Sequence, residues 1–128
     1  MDPLADMFIR IKNGYRAGQP SVVLPYSRLK AEVARLLEAR RYIAEWEKKG
    51  RKVRKFIEVR LRYDGTRPAM QDIRRISKPS QRIYVGRREI RPVRQGMGLL
   101  IISTPRGVMS GEEARKSGLG GEMIAEVW

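Results

Sequence analysis

Hydroxyl side chains and glycines are concentrated near the carboxyl end of this sequence, in the segment ISTPRGVMSGEEARKSGLGGE (residues 102–122). Ser103 and Thr104 follow an apolar run, GLLII, which predicts a buried strand that ends at the two hydroxyls. Pro105 and Gly107 then predict a tight turn. Hydroxyls at such a turn can exchange hydrogen bonds with base edges and 2′-hydroxyl groups. The glycines of GLGGE predict either close approach of the backbone to a partner or a bulge in a strand.

The composition argues against catalysis. The sequence contains no histidine and no cysteine, which excludes a Ser-His-Asp triad, histidine or thiolate metal ligands, and disulfides. The acids stand singly among bases, so a metal-dependent nuclease built from Asp64, Asp72 or Glu122 is kept only as the enzyme alternative. We therefore predict no enzyme, no catalytic residue, no metal site and no cofactor. For Glu122 two roles stay open: it accepts hydrogen bonds from base amino groups, or it orients a neighbouring arginine.

The net charge indicates a polyanionic partner. The 128 residues include 28 Lys and Arg against 14 Asp and Glu, which gives a net charge of +14. Like charges repel within a compact domain, and each phosphate that they neutralise releases counterions. Nucleic acid is the predicted partner, with a basic DNA-binding or chromosome-organising protein as the alternative to an RNA-binding one. The acidic start, MDPLADMF, does not resemble a secretory signal, and no apolar run is long enough for a membrane helix, so we expect a cytoplasmic protein without a membrane partner.

Basic residues form two groups. The segment KKGRKVRK, Lys48–Lys55, contains six bases and no acid, and it predicts a charged hairpin that either binds nucleic acid or is only solvated. The second group lies among prolines, glycines and Tyr84, and Glu89 is its single acid. This pattern predicts a β-rich surface whose loops contact phosphates rather than one recognition helix. Its nine bases are Arg74, Arg75, Lys78, Arg82, Arg87, Arg88, Arg91, Arg94 and Arg106.

Apolar spacing predicts an N-terminal mixed α/β lobe, residues 1–66. Its first helix begins at an Asp2 cap and ends at Gly14. The apolar face of this helix consists of Leu4, Met7, Phe8 and Ile11. A strand, SVVLPY, ends at Pro25, and Ser27 caps a second helix. The buried stripe of that helix is expected to be Leu29, Val33, Leu36 and Leu37. Two alternating strands, YIAEWEK and KFIEVRLRYD, then flank the basic hairpin turn.

The remaining residues, 67–128, predict a mostly antiparallel β lobe with one short helix, so the fold class is α+β. The boundary lies at DGTRPA. Strands are expected in MQDIRRIS, RIYV, GLLIIST and EMIAEVW. A capping box formed by Ser110 and Glu113 begins the helix, and Gly118 ends it. Three methionines are expected to fill the core: Met97, Met109 and Met123.

Several separated motifs resemble the small ribosomal subunit protein eight family. STPRGVMSGEEARKSGLGGE resembles its signature, DPLADMFIRIKNG is similar to its N-terminal helix, RRISKPSQRIYV to its middle block, and the ending EVW fits as well. The resemblance covers essentially the whole chain and is weakest from Tyr42 to Met70. It departs at Pro105, where the pattern has a second Ser, and at Ser80, where the pattern has Gly after Pro79.

The resemblance implies a structural, RNA-binding protein of the small ribosomal subunit. Such a protein binds an irregular helix with an internal loop in the central domain of small-subunit ribosomal RNA and helps to assemble the platform. Neighbouring small-subunit proteins, such as protein five, are implied partners, and in bacteria so is an operon messenger RNA whose translation the protein represses. By position, and with Arg82 added from the basic stretch, the RNA-binding residues are Ser103, Thr104, Pro105, Gly107, Val108, Tyr84, Gly121, Glu122, Arg82, Arg10, Asn13 and Lys30.

Overall fold

The computed structural model describes residues 3–128, so the predicted Asp2 cap lies outside the described residues. Packing divides the chain into two compact units, Met1–Gln71 and Asp72–Trp128. The α+β class is confirmed, because helices accompany sheets in which every pairing of the described strands is antiparallel. The domain boundary between residues 66 and 67 stays a prediction.

The N-terminal unit packs two helices on a three-stranded antiparallel sheet. Its elements are α1 (Pro3–Arg16), β1 (Ser21–Pro25), α2 (Arg28–Ala39), β2 (Ile43–Arg51), β3 (Arg54–Leu61), β4 (Tyr63–Asp64) and β5 (Arg67–Pro68). The order of strands in the sheet is β1-β3-β2. The predicted apolar face of its first helix is buried, and Ser27 caps the second helix by accepting a hydrogen bond from Lys30 N. A small separate hairpin, β4–β5, turns at Gly65.

Two local predictions for these helices are wrong. Gly14 does not end α1, which continues to Arg16. Gly14 is buried inside the helix, where a Cβ would lie 2.4 Å from Val22 Cγ1, so the glycine lets α1 pack closely on β1. In α2, Leu29 is 38% exposed whereas Lys30 is only 5% exposed. The buried stripe therefore begins at Lys30, because its ammonium donates a hydrogen bond to Pro25 O at the edge of β1.

The C-terminal unit is built around one central strand. It contains β6 (Ile73–Arg75), β7 (Tyr84–Val85), β8 (Leu99–Thr104), β9 (Gly107–Ser110), α3 (Gly111–Lys116) and β10 (Gly121–Val127). The sheet order is β6-β10-β8-β9, and the short β7 pairs with β10 on the same side as β6. A 3-10 turn, Arg87–Glu89, and a left-handed turn, Val93–Gly96, lie between β7 and β8.

The predicted helix of this unit is confirmed, but the structure differs from the sequence-based predictions at the turn before the helix and at Met97. Ser110 Oγ accepts a hydrogen bond from Glu113 N at 3.1 Å, and the chain leaves α3 through Gly118 with φ of 70°. The segment before the helix was expected to be only a turn, yet β9 returns along β8 and forms a hairpin. Met97 is 84% exposed rather than buried, because it precedes β8 and belongs to no strand that faces the core.

Glycines allow β10 to lie close to its neighbours. A Cβ on Gly121 would lie 2.0 Å from the carbonyl oxygen of Ser103, and a Cβ on Gly120 would lie 2.4 Å from that of Val85. Both distances are shorter than any van der Waals contact. The glycines of GLGGE thus bring the backbone close to neighbouring strands of the protein, whereas their close approach to a partner stays a prediction. The register irregularity of β10 comes later, between Met123 and Ala125.

We expect Gly121→Ala to destabilise the protein. The added methyl group must displace β10 or β8, and overpacking of this kind costs about 1–3 kcal/mol. Urea denaturation measures the loss. Gly86→Ala is the matched control, because its Cβ would meet only the Glu89 carboxylate at 3.5 Å and its φ of −79° suits any residue. Equal denaturation midpoints for the two variants would contradict the close approach.

Candidate nucleic-acid interface

Four of the predicted site residues lie in one row across the C-terminal sheet. Tyr84 of β7 is the register partner of Glu122 in β10, Glu122 is the partner of Ser103 in β8, and Ser103 is the partner of Val108 in β9. Residues directly opposite each other in antiparallel strands point to the same face. We call Tyr84, Glu122, Ser103 and Val108 the cross-strand row. Residues far apart in the sequence are thus brought side by side.

The cross-strand row points away from the core cluster of this unit. Successive residues of a strand alternate between the two faces of a sheet. The residues next to the row, Val85, Met123, Ile102 and Met109, all belong to or pack against the apolar cluster of the other face. That cluster also contains Ile90, Val93, Leu100 and Ala114. In each of the four strands the residue next to the row faces the cluster, so the row itself lies on the opposite face, where Tyr84 is 68% exposed.

Glu122 holds an arginine beside the row. The guanidinium Nη1 of Arg82 lies 3.2 Å from one carboxylate oxygen of Glu122 and 3.4 Å from the other. Of the two roles that the sequence left open for Glu122, orientation of a neighbouring arginine is therefore present in the structure. Because a guanidinium has five N–H donors, Arg82 keeps donors for a further acceptor such as a phosphate or a base edge. The ion pair brings a cation to a row that otherwise has none.

The two predicted hydroxyls have different environments. Thr104 is buried, and its Oγ1 donates to Gly107 O at 2.9 Å and accepts from Arg106 N at 3.1 Å. Thr104 thus closes the β8–β9 turn, in which Gly107 has a φ of 110°. Ser103 is only partly buried and lies in the cross-strand row. None of the hydrogen bonds among the described residues uses its hydroxyl, so Ser103 is the better candidate for an intermolecular contact.

We predict that the two hydroxyls contribute differently to folding. Thr104→Ala leaves the backbone groups of the turn without their partner, which costs about 1–3 kcal/mol. Ser103→Ala changes the stability by less than about 0.5 kcal/mol, as is usual for a substitution that breaks no internal contact. Chemical denaturation of the two variants tests this difference. Equal losses of stability would show that Ser103 is a structural residue as well.

Arg10 and Lys30, which the resemblance assigns to RNA, both donate to the free edge of β1. Tyr26 N donates to Lys55 O, and Leu61 N donates to Pro20 O. Even-numbered residues therefore form the backbone hydrogen bonds to β3, and the N–H and C=O groups of the odd-numbered residues of β1 point away from it. Arg10 Nη1 donates to Val23 O at 3.0 Å, and Lys30 Nζ donates to Pro25 O at 2.8 Å. These contacts occupy carbonyls that an added strand would use.

Two of the predicted RNA-binding residues, Arg10 and Asn13, are exposed on the first helix. Arg10 also forms an ion pair with Asp6, with Nε 2.9 Å from Oδ2, but its side chain remains about half exposed. Asn13 is exposed and lies three residues further along α1, on the same side of the helix as Arg10. Lys30 differs from both, because its ammonium is buried with a backbone carbonyl as partner.

We expect Lys30→Met to destabilise the protein. Methionine retains the aliphatic packing but removes the hydrogen bond from Lys30 Nζ to Pro25 O, and a hydrogen bond of this kind contributes about 0.5–1.5 kcal/mol. Arg28→Met, at an exposed position of the same helix, is the matched control and should leave the unfolding free energy nearly unchanged. If Lys30→Met instead keeps full stability and loses RNA affinity, the lysine acts on RNA directly.

In the basic hairpin, part of the charge is used within the protein. β2 and β3 join at Lys52 and Val53, and Gly50 lies inside β2 with φ of 99° rather than at the turn. Lys49 Nζ lies 2.6 Å from Glu58 Oε1; this hydrogen bond lowers the pKa of Glu58 and raises the pKa of Lys49. Lys48 lies over the Tyr26 ring. The exposed bases of the tip are Arg51, Lys52, Arg54 and Lys55. A contact of this tip with nucleic acid stays a prediction.

Two other kinds of feature are absent from residues 3–128. No group of three or more His, Cys, Asp or Glu in this range is placed to hold a metal ion. Within the same range, no helix has both the length and the apolar character that crossing a membrane requires.

Comparison with known proteins gives one consistent result. Residues 2–128 match the family described as Ribosomal protein S8. The chain is 45% identical over 127 residues to the small ribosomal subunit protein uS8 of Dictyoglomus turgidum, a match that covers 99% of this chain and 97% of that protein. It is 44% identical to the uS8 of Acidobacterium capsulatum, with coverage of 99% and 97%. It is 41% identical to the uS8 of Thermus aquaticus, with coverage of 99% and 98%.

Proposed function

Because the chain belongs to the ribosomal protein S8 family, we propose that its cross-strand row recognises small-subunit ribosomal RNA. A member of this family is a structural component of the small ribosomal subunit and takes part in translation as a ribonucleoprotein, not as an enzyme. The finer assignment is an irregular helix with an internal loop in the central domain of that RNA. The protein acts in the cytoplasm, within the ribosome, and helps to assemble the platform.

The observation that carries this proposal is the composition of the row, in which Tyr84 is exposed and the other three residues are partly buried. The Tyr84 ring offers a stacking surface for an unpaired base, and the Ser103 hydroxyl can both donate and accept. Arg82, held by Glu122, offers guanidinium donors next to them. These groups line a shallow sheet face beside the Pro105–Arg106 turn, so they suit the splayed bases and 2′-hydroxyls of an internal loop better than the edges of a DNA major groove.

Affinity in this proposal comes from the distributed charge. The net charge of +14 attracts phosphates without regard to sequence, whereas the row supplies recognition. Arg10 and Asn13 add contacts from α1. Gly121 and Gly107 contribute through the backbone geometry that they permit, and Val108 and Pro105 contribute apolar surface beside the row. For Lys30 we assign a positioning role at the β1 edge, because the residue is only 5% exposed and its ammonium already donates to Pro25 O.

Two further partners belong to the same proposal. An operon messenger RNA that presents the same internal loop would compete for the cross-strand row, and its binding would repress translation. Neighbouring small-subunit proteins, such as protein five, would bind other surfaces of the assembled particle. Both assignments rest on the family resemblance alone.

The test compares RNA binding by Ser103→Ala and by the unaltered protein. The RNA is a central-domain fragment with its internal loop, and removal of one or two base contacts should weaken binding by about 1–3 kcal/mol. The salt dependence should stay constant, since no charge is removed. Ser117→Ala, an exposed serine at the end of α3, is the matched control.

Two outcomes would contradict the proposal. Unchanged affinity of Ser103→Ala in a folded protein would remove the row from the interface. Tighter binding of the unaltered protein to a plain DNA duplex than to the fragment would favour the DNA-binding alternative. Footprinting on small-subunit ribosomal RNA locates the contact on the RNA independently.

A further inference from the structure

We propose that the C-terminal unit carries a second RNA-binding surface, which holds the phosphate backbone of a separate RNA helix and lets this unit bridge two RNA segments. The surface is the connection between β7 and β8, residues 86–97, which we call the arginine segment. The inference rests on the proposed function, because bridging requires that the cross-strand row binds RNA. It adds a second site, a different mode of recognition and a cross-linking role.

The arginine segment lies on the opposite side of the sheet from the cross-strand row. Ile90 and Val93 anchor it, since both are buried in the apolar cluster with Leu100 and Ile102. Leu100 and Ile102 of β8 point to this face, and alternation directs Ser103 to the other. The two surfaces are thus separated by the sheet and its packed cluster. Because the two faces of a sheet point in opposite directions, an RNA helix that lies flat on the row does not lie flat on the segment.

The exposed side chains of the segment suit phosphates. Ile90 and Val93 point inward, and the side chains between and around them point outward: Arg87, Arg88, Arg91 and Arg94. No ion pair among the described residues engages the guanidinium groups of Arg87, Arg88 or Arg91. Glu89 is the only acid of the segment, so its net charge is four minus one, or +3. Arginine binds phosphate oxygens through two parallel N–H groups, which makes this a phosphate surface rather than a general solvated one.

The backbone of the segment is held in an uncommon conformation. Arg94 and Gln95 are consecutive non-glycine residues with φ of 49° and 57°. Two hydrogen bonds close this left-handed turn, from Met97 N to Arg94 O at 3.1 Å and from Gly98 N to Val93 O at 3.0 Å. The Arg94 guanidinium lies over the Trp128 ring, 4.2 Å from its centroid. Stacking fixes the plane of the guanidinium and leaves its edge free to donate.

An acidic protein is the other partner that this charge would attract, and the structure favours RNA. Protein interfaces bury an apolar centre within a polar rim. In the arginine segment Met97 is the one large apolar side chain that is exposed among the described residues. Four arginines with a single exposed methionine fit a row of phosphates, where binding needs charge and bidentate donors but no apolar centre.

A ternary-complex experiment tests the second surface. The protein is first saturated with the unlabelled central-domain fragment, and a fluorescent, fully paired RNA duplex without an internal loop is then titrated by anisotropy. We expect the duplex to bind the saturated protein. Arg87→Gln/Arg88→Gln/Arg91→Gln should weaken this second binding at least about 10-fold and lower its salt slope by about 2–3, because each phosphate that an arginine neutralises adds about 0.9 to the slope. Fragment affinity should change by less than about threefold, since most of the charge that attracts phosphates remains.

The control removes the same charge elsewhere. Arg16→Gln/Arg28→Gln/Arg35→Gln alters three exposed arginines of α1 and α2 and should keep duplex binding to the saturated protein. Three results would overturn the proposal: the fragment displaces the duplex, the first triple variant binds the duplex normally, or the control loses as much. If the fragment itself does not bind specifically, the proposed function and the bridging fail together, and duplex binding by the free protein and the first variant then decides the arginine segment alone.

Discussion

The close approach of β10 to its neighbours is the constraint on which the C-terminal unit depends. At Gly120 and Gly121 the chain lies so near the carbonyls of Val85 and Ser103 that no side chain fits between them. β10 pairs with β6, β7 and β8, so it alone connects the strand of Tyr84 to the strand of Ser103. The side chains of the cross-strand row are therefore brought together only because Gly120 and Gly121 have no side chains of their own.

The net charge of the protein overstates the number of cations that are free for RNA. Arg10 and Lys30 donate to the edge of β1, Lys49 pairs with Glu58, and Arg82 pairs with Glu122. Each contact satisfies a backbone carbonyl or a carboxylate of the protein itself, and only some leave further donors exposed. Bases that look equivalent in the sequence thus differ in function: some stabilise the fold, some orient donors, and others are exposed as plain charges.

The proposals divide recognition of RNA between the two faces of one sheet. The face of Tyr84 and Ser103 offers an aromatic ring, a hydroxyl and an arginine held by Glu122, which suits the reading of an irregular loop. The other face carries the arginine segment, in which charge and guanidinium geometry dominate. Because the cluster around Ile90 and Val93 lies between them, one small unit can hold two kinds of contact without mixing them.

Interactions within a few residues could be predicted from the sequence, and those between distant strands could not. The apolar face of α1, the Ser27 cap and the Ser110–Glu113 cap are local, so spacing and residue type determine them. The resemblance of the motifs likewise identified the family and the segment that contains Ser103. Tertiary structure decided the burial of Lys30, the helical place of Gly14 and the difference between Ser103 and Thr104, because each depends on a partner brought near only by folding. The cross-strand row depends on pairing register, which no single segment specifies.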